Sequence, residues 1–195
     1  KMGVVAKDLP EREFASGLAE VIKCGVIRDA DLFDLLERRT AEIRARDPGI
    51  LSEMLVRAIT VKVDLVRADE TDNGDRKLLN YGHTIGHAIE ASRGYRIRHG
   101  EAVSLGMMAA AHVAWKMGLV AKDLPARQAA LLRACGLPTR LPGLRAAAIL
   151  QAMGHDKKRA QGRPLFVLPE AIGRARRDVE VDDALVLEAL EKITR

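Results

Sequence analysis

The chain has 195 residues, 48% of them hydrophobic and 30% charged, which is enough to bury a core as a single domain spanning residues 1–195. Aromatic residues supply only 3%, so that core must be built from Leu, Ile, Val, Met and Ala, a palette that suits packed helices. The net charge of +5 is compatible with an anionic partner, although a solvated Arg-rich surface is the plainer reading; long basic runs and the aromatic interleaving that stacks bases are missing, so no nucleic-acid partner is expected.

In chain order, Glu11 to Ile27 places Phe14, Leu18, Val21, Ile22 and Val26 at helical spacing. Asp29 can then cap a second helix from about Ala30 to Arg46. Asp47 followed by Pro48 is an N-cap with proline at the first helical position, opening a third helix through Leu51, Leu55, Ile59, Val63 and Val66. The polar stretch Asp69 to Asp75 ends it as a loop. The helical pattern returns from Leu78 to Ala91, and Arg93 to Arg98 forms a second loop. Gly100 to Met117 then reads as a strongly apolar, central helix ended by Gly118.

Further helices fit Pro125 to Cys135, Leu144 to Met153 and Asp182 to Ile193. Pro164 to Leu168 and Arg174 to Val179, around a turn at Pro169 to Gly173, read as a β-hairpin. The expected fold is mainly α, a helical bundle with one small C-terminal β-hairpin. KMGVVAKDLP at Lys1 to Pro10 is nearly repeated as KMGLVAKDLP at Lys116 to Pro125. No further copies follow at a fixed period, so this is not a repeat architecture.

Cys24 and Cys135 sit in apolar helical patterns without CxxC spacing, which suits buried thiols in a reducing compartment. No signal-peptide pattern opens the chain, and no apolar stretch approaches the roughly twenty residues of a membrane span. A cytoplasmic location and no membrane partner are therefore expected.

The segment richest in chemistry is LLNYGHTIGHAIE, Leu78 to Glu90, in which His83 and His87 lie four apart and share one helix face. Two rings so spaced can bind one metal. Thr84 stands where a metalloprotease needs its glutamate base, so that class is disfavoured. Gly82 and Gly86 cost a helix roughly 1 kcal/mol each relative to alanine, which suggests close approach of another backbone or a ligand. The plainer alternative is tight helix packing with satisfied histidines.

A third ring, His99 in RHGEAVSLG, projects from where a loop becomes the apolar helix, and Glu101 beside it serves the helix dipole. In ASGLAEVIKCG, Glu20 lies near the apolar face, where a carboxylate is costly unless paired or bound to metal. Lys23, three residues on, offers the simple pairing. One Glu with two His would make a three-ligand site with open positions, as in catalytic rather than structural centres. Spacing leaves open which two histidines serve.

SGLAEVIK (Ser16 to Lys23), LLNYGHTIGHAIE, HGEAVSLGM (His99 to Met107), and HDKK (His155 to Lys158) followed by PLFVLPEAIG resemble the dehydroquinate synthases in order and approximate spacing. The resemblance spans nearly the whole chain and implies the C-terminal, metal-binding helical domain of the sugar-phosphate cyclase group, whose distant relatives are metal-dependent glycerol dehydrogenases. It implies Glu20, His83 and His99 as ligands of a divalent metal, zinc or cobalt. His87 and Lys23 would be catalytic. Lys62, Arg76, Asn80 and Lys157, or its neighbour Lys158, would hold the carboxylate, hydroxyls and phosphate of an anionic sugar-phosphate substrate. Asn80, His87 and the HDKK lysines point to the dehydroquinate branch over the inosose and valiolone cyclases.

The implied reaction turns 3-deoxy-D-arabino-heptulosonate 7-phosphate into 3-dehydroquinate and phosphate in the shikimate pathway, through transient oxidation by NAD, phosphate elimination, re-reduction and an aldol closure. Such an enzyme carries a nucleotide-binding domain before the SGLAEVIK helix and forms a homodimer. That domain is expected to be absent here, since no two glycines are even spaced G-x-G, and the isolated chain is expected to be inactive without it. The competing expectations are a fragment of another cyclase or of a glycerol dehydrogenase-like enzyme, and a catalytically silent metal-binding or dimerisation module.

Overall fold

A computed structural model describes residues 8–69, 74–156 and 165–195. Two helices begin where the capping chemistry expects them to. Helix α1 (Glu11–Ile27) is followed by Asp29, whose carboxylate accepts from the Leu32 amide at 2.9 Å and opens α2 (Ala30–Arg38). Asp47 accepts from the amides of Gly49 and Ile50 at 2.9 and 3.0 Å, with Pro48 at the first position of α4 (Pro48–Ala68). Between them the single helix expected to Arg46 is broken at Arg39, giving a short α3 (Thr40–Arg44). There Thr40 turns its hydroxyl back onto the carbonyl of Leu36 at 2.6 Å, a local bond that competes with helix continuation.

A second break lies in LLNYGHT. Asp75–Asn80 is a 3-10 turn, and Gly82 has φ +78°, so α5 (His83–Ser92) starts at the first histidine rather than at Leu78. Apolar spacing alone looks helical across this junction, but a left-handed residue cannot sit inside an α-helix. After it come α6 (His99–Lys116), α7 (Asp123–Ala134), α8 (Ala146–Asp156), strands β1 (Leu165–Ala171) and β2 (Arg174–Glu180), and α9 (Asp183–Thr194).

Helix α6 is apolar nearly all round, with Ala102, Val103, Leu105, Met107, Ala111 and Val113 each fully buried, as a central helix must be. It packs against α1, α5, α7, α9 and β1. The hairpin is antiparallel and longer than expected, with Pro169 inside β1 opposite Ala175 instead of in the turn. A two-stranded ribbon has only edge strands, where proline is tolerated. Its tip is fixed to α1 by the Gly173 amide, which donates to the Val26 carbonyl at 2.9 Å.

Helix α4 buries Leu51, Met54, Ala58, Val61 and Leu65, and leaves Ile59, Val63 and Val66 exposed. Of the apolar line read from the sequence, Leu51 is buried and Leu55 packs partly buried against the core, while Ile59, Val63 and Val66 fall on the outer side. Both sides of α4 carry β-branched residues, so periodicity could not choose between them. No described helix is long and apolar enough to cross a membrane.

Candidate metal centre

Three backbone contacts set the positions of the histidines. Gly100, second residue of α6, has its amide on the Ser16 hydroxyl at 2.9 Å, and a Cβ there would overlap the Ser16 backbone. Ser16 is one helical turn before Glu20, so this contact seats His99 beside that carboxylate. Along α6, a Cβ on Gly106 would overlap the Gly82 carbonyl, and one on Gly82 would come within 2.9 Å of the Met107 amide nitrogen. Gly86 lies against Ala102 in the same way. Helices α5 and α6 therefore meet main chain to main chain, and the close approach expected of Gly82 and Gly86 is to a neighbouring helix.

The result is a cluster of Glu20, His83 and His99 whose ligand atoms all lie within 4.8 Å of one another. Nε2 of His83 is 3.6 Å and Nε2 of His99 is 3.8 Å from the same oxygen, Oε1 of Glu20. Tetrahedral zinc with bonds of about 2.0–2.2 Å separates its ligand atoms by about 3.3–3.6 Å, so small side-chain movements would close this set on a divalent ion. Both rings are oriented from behind. Nδ1 of His83 donates to the Tyr81 carbonyl at 3.1 Å, and Nδ1 of His99 lies 3.1 Å from Oε1 of Glu90. The His83 ring then presents its unprotonated Nε2 to Glu20, and His99 turns its own Nε2 toward the same oxygen.

Tyr81, whose carbonyl serves His83, is itself fully buried, with its hydroxyl donating to Oε1 of Gln128 at 2.7 Å. Sequence reasoning missed Tyr81, Gln128 and Glu90. Glu90 was visible as the last residue of GHAIE, seven beyond His83 and so on the same side of α5.

Two ammonium groups hold the other side of Glu20. Lys23, only 2% exposed, donates to Oε2 at 2.9 Å and to Oε1 at 3.2 Å, and Lys62 donates to Oε2 at 2.9 Å. The i,i+3 pairing anticipated for Lys23 is thus made, and it leaves Oε1 facing the rings. Burial disfavours the ionised carboxylate, but Lys23 and Lys62 outweigh it and hold the pKa of Glu20 down to about 2. Burial lowers the pKa of His83 to about 4, helped by the charge of Lys23, so at neutral pH this ring offers a free lone pair. Burial likewise pulls the Lys23 ammonium below its usual range, against the attraction of Glu20.

His87 is exposed at the rim, its ring 5.4 Å from that of His83 and 6.3 Å from that of His99. Glu101 faces away from the cluster, accepting from the Arg98 amide at 3.1 Å and from Arg12 at 2.5 and 2.8 Å, in keeping with a helix-end role. Arg76 and Asn80 lie on the 3-10 turn before α5; the Arg76 amide donates to Asp69 at 3.3 Å, and Asn80 is exposed. Asn80 has no hydrogen bond to the cluster among the described residues and lines a small indentation with Gly82, Thr84 and Phe166. Lys157 and Lys158 lie outside the described residues.

The family described as 3-dehydroquinate synthase C-terminal matches residues 17–159, which include every ligand of the cluster. The 3-dehydroquinate synthase of Nostoc punctiforme is 46% identical over 191 residues, covering 96% of this chain and 53% of the relative. That of Shewanella loihica is 43% identical over 186 residues, covering 94% and 52%. Among solved structures, a 2-epi-5-epi-valiolone synthase from Streptomyces hygroscopicus with NAD+ and Zn2+ bound superposes with a TM-score of 0.88 at 26% identity, covering 98% of this chain and 54% of its own. A 2-deoxy-scyllo-inosose synthase complexed with carbaglucose-6-phosphate, NAD+ and Co2+ shares the fold at a TM-score of 0.81 and 23% identity, covering 95% and 53%. The chain spans about half the length of the curated relatives it matches. With the fold, the motif spacing and the match over residues 17–159 in agreement, the chain belongs to the 3-dehydroquinate synthase C-terminal family.

Proposed function

We propose that this chain is the metal- and substrate-binding half of a 3-dehydroquinate synthase, the enzyme that converts 3-deoxy-D-arabino-heptulosonate 7-phosphate to 3-dehydroquinate and phosphate. The observation that carries the reading is the convergence of Glu20, His83 and His99 on one point, with ligand atoms within 4.8 Å of one another, inside a chain 46% identical to a 3-dehydroquinate synthase. That identity favours the dehydroquinate branch over the valiolone synthase, which stands at 26%.

In this reading Glu20, His83 and His99 hold a divalent ion, zinc or cobalt. When bound it supplies Lewis acidity to a substrate hydroxyl and to the negative oxygen that develops during its oxidation. Lys62 sits on the outer side of Glu20 with its side chain 42% exposed, so it can exchange the carboxylate for a substrate anion without being unburied. Lys23 is enclosed and stays on Glu20, keeping that oxygen pair ionised and aimed. His87 at the rim is placed to move a proton to or from a substrate resting on the cluster. Arg76, Asn80 and Lys157 bind the substrate's phosphate and hydroxyls. NAD belongs to the other half of the relatives' length, and a homodimer in the cytoplasm is part of the same reading.

The test is zinc calorimetry on the 195-residue chain at neutral pH beside His83→Ala and His99→Ala. One-to-one binding abolished by both substitutions supports the centre. A well-folded parent that takes up no zinc refutes it.

A further inference from the structure

His83 and His99 are held in different ways. His83 is packed, its side chain 13% exposed, with a main-chain carbonyl behind it. His99 is 48% exposed at the first residue of α6, with its ring centroid 5.2 Å from that of His83. The polar contact that fixes its orientation from behind is with Glu90, 3.1 Å from Nδ1. Glu90 is itself well anchored, its side chain 13% exposed, and its backbone carbonyl accepts the amides of Arg93 and Tyr95 at 3.2 and 2.9 Å as α5 ends. Helix α5 thus delivers one member of the cluster from its first residue and the support for another from its eighth.

We propose that Glu90 is a positioning residue of the centre. Its carboxylate fixes the Nδ1–H tautomer of His99, holds Nε2 toward Glu20, and makes that nitrogen a stronger donor to a cation. The inference rests on the metal reading given above. The physical grounds are that an exposed ring must otherwise lose rotamer freedom when it coordinates, and that a carboxylate behind a ligating imidazole raises its basicity. Glu90 touches no reacting atom in this scheme, since its carboxylate lies on the far side of the ring from Glu20.

The experiment is zinc affinity of the 195-residue chain, measured by competition with a chromophoric chelator, for the parent, Glu90→Ala, Glu90→Gln and His99→Ala. Supports of this kind typically contribute 10–100-fold to metal affinity. Glu90→Ala should bind one zinc about 10–100-fold more weakly than the parent, with an unchanged melting temperature for the metal-free chain. Glu90→Gln keeps an acceptor in place without the charge, so it should recover part of the loss. Long-range 1H–15N spectra should show a single Nδ1–H tautomer for His99 in the metal-free parent and a mixture in Glu90→Ala.

Zinc affinity in Glu90→Ala equal to that of the parent, or a His99 tautomer that does not respond, overturns the proposal. Should Glu90→Ala fail to fold, Glu90→Gln decides alone, and parental affinity there overturns it. A parent that binds no zinc refutes the metal reading and the role of Glu90 together. A parent that binds, loses binding in His99→Ala and ignores Glu90→Ala refutes only the second.

Discussion

Glu20→Gln tests the electrostatics of the centre without any metal. The carboxylate carries two lysine hydrogen bonds at 2.9 Å, and its pKa is held at about 2 against an ordinary value of 4.5. A shift of about 2.5 units corresponds to about 3.4 kcal/mol in favour of the ionised over the neutral form. The side chain is 24% exposed, so solvent screening trims this to about 3 kcal/mol. Because the amide mimics the neutral form, Glu20→Gln should lose about that much stability at pH 7, and the Lys23 ammonium is left buried without its counter-charge. For a chain of this length the loss amounts to a fall in melting temperature of roughly 6–12 °C.

The sign fixes the pH window. A lowered carboxylate pKa gives stability that is complete above pH 4.5 and lost as the pH falls toward 2. Urea unfolding of parent and variant in chelator, at pH 7 and again near pH 3, should therefore show a gap that closes on acidification. A gap below about 1 kcal/mol at pH 7, or one that is the same at both pH values, refutes the electrostatic account of Glu20.

Gly106→Ala should cost about 3 kcal/mol or more in urea unfolding and weaken zinc uptake, since its Cβ overlaps the Gly82 carbonyl that opens the His83 helix. Gly17→Ala, on α1 with nothing within 4 Å of the added carbon, should instead be neutral or stabilising by up to about 1 kcal/mol. The neutral His83 ring, with its pKa lowered to about 4 from 6.5, contributes stability that is complete above pH 6.5 and is lost as the pH falls toward 4. The urea midpoint of the metal-free chain should fall across that window, and His83→Asn should flatten this part of the profile. Burial raises both Cys24 and Cys135 to about 11, so a thiol reagent at pH 8 should label neither in the folded chain and both after unfolding.

Helices α2 and α4 were legible because their caps are side-chain chemistry. Asp29 and Asp47 bond the amides their positions predict. The misreadings at Gly82 and on α4 share one cause, which is that local pattern does not register contacts from far along the chain. Gly82 looks like a costly residue inside a helix until α6 is placed against it, and only then does the left-handed turn before His83 make sense. On α4, Ile59 and Val63 signal burial as strongly as Val61 and Leu65, and the tertiary structure makes the choice.

The site shows the same division. The pairing of Lys23 with Glu20 is a three-residue relation and could be anticipated. The meeting of Glu20 with His83 and His99 depends on Ser16 accepting the start of α6, and the family resemblance supplied that choice of histidines. Glu90 went unnoticed because its partner lies beyond a loop, nine residues on.

The three glycine contacts along α6 carry a last consequence. Because Gly82, Gly86 and Gly106 let main chain rest on main chain, the distance between the two ring-bearing segments is fixed by peptide geometry rather than by the volumes of apolar side chains. Exchanges among the surrounding Leu, Ile and Val positions should therefore leave the two nitrogens at their spacing. The separation of the rings thus depends on a few positions where no side chain at all is allowed.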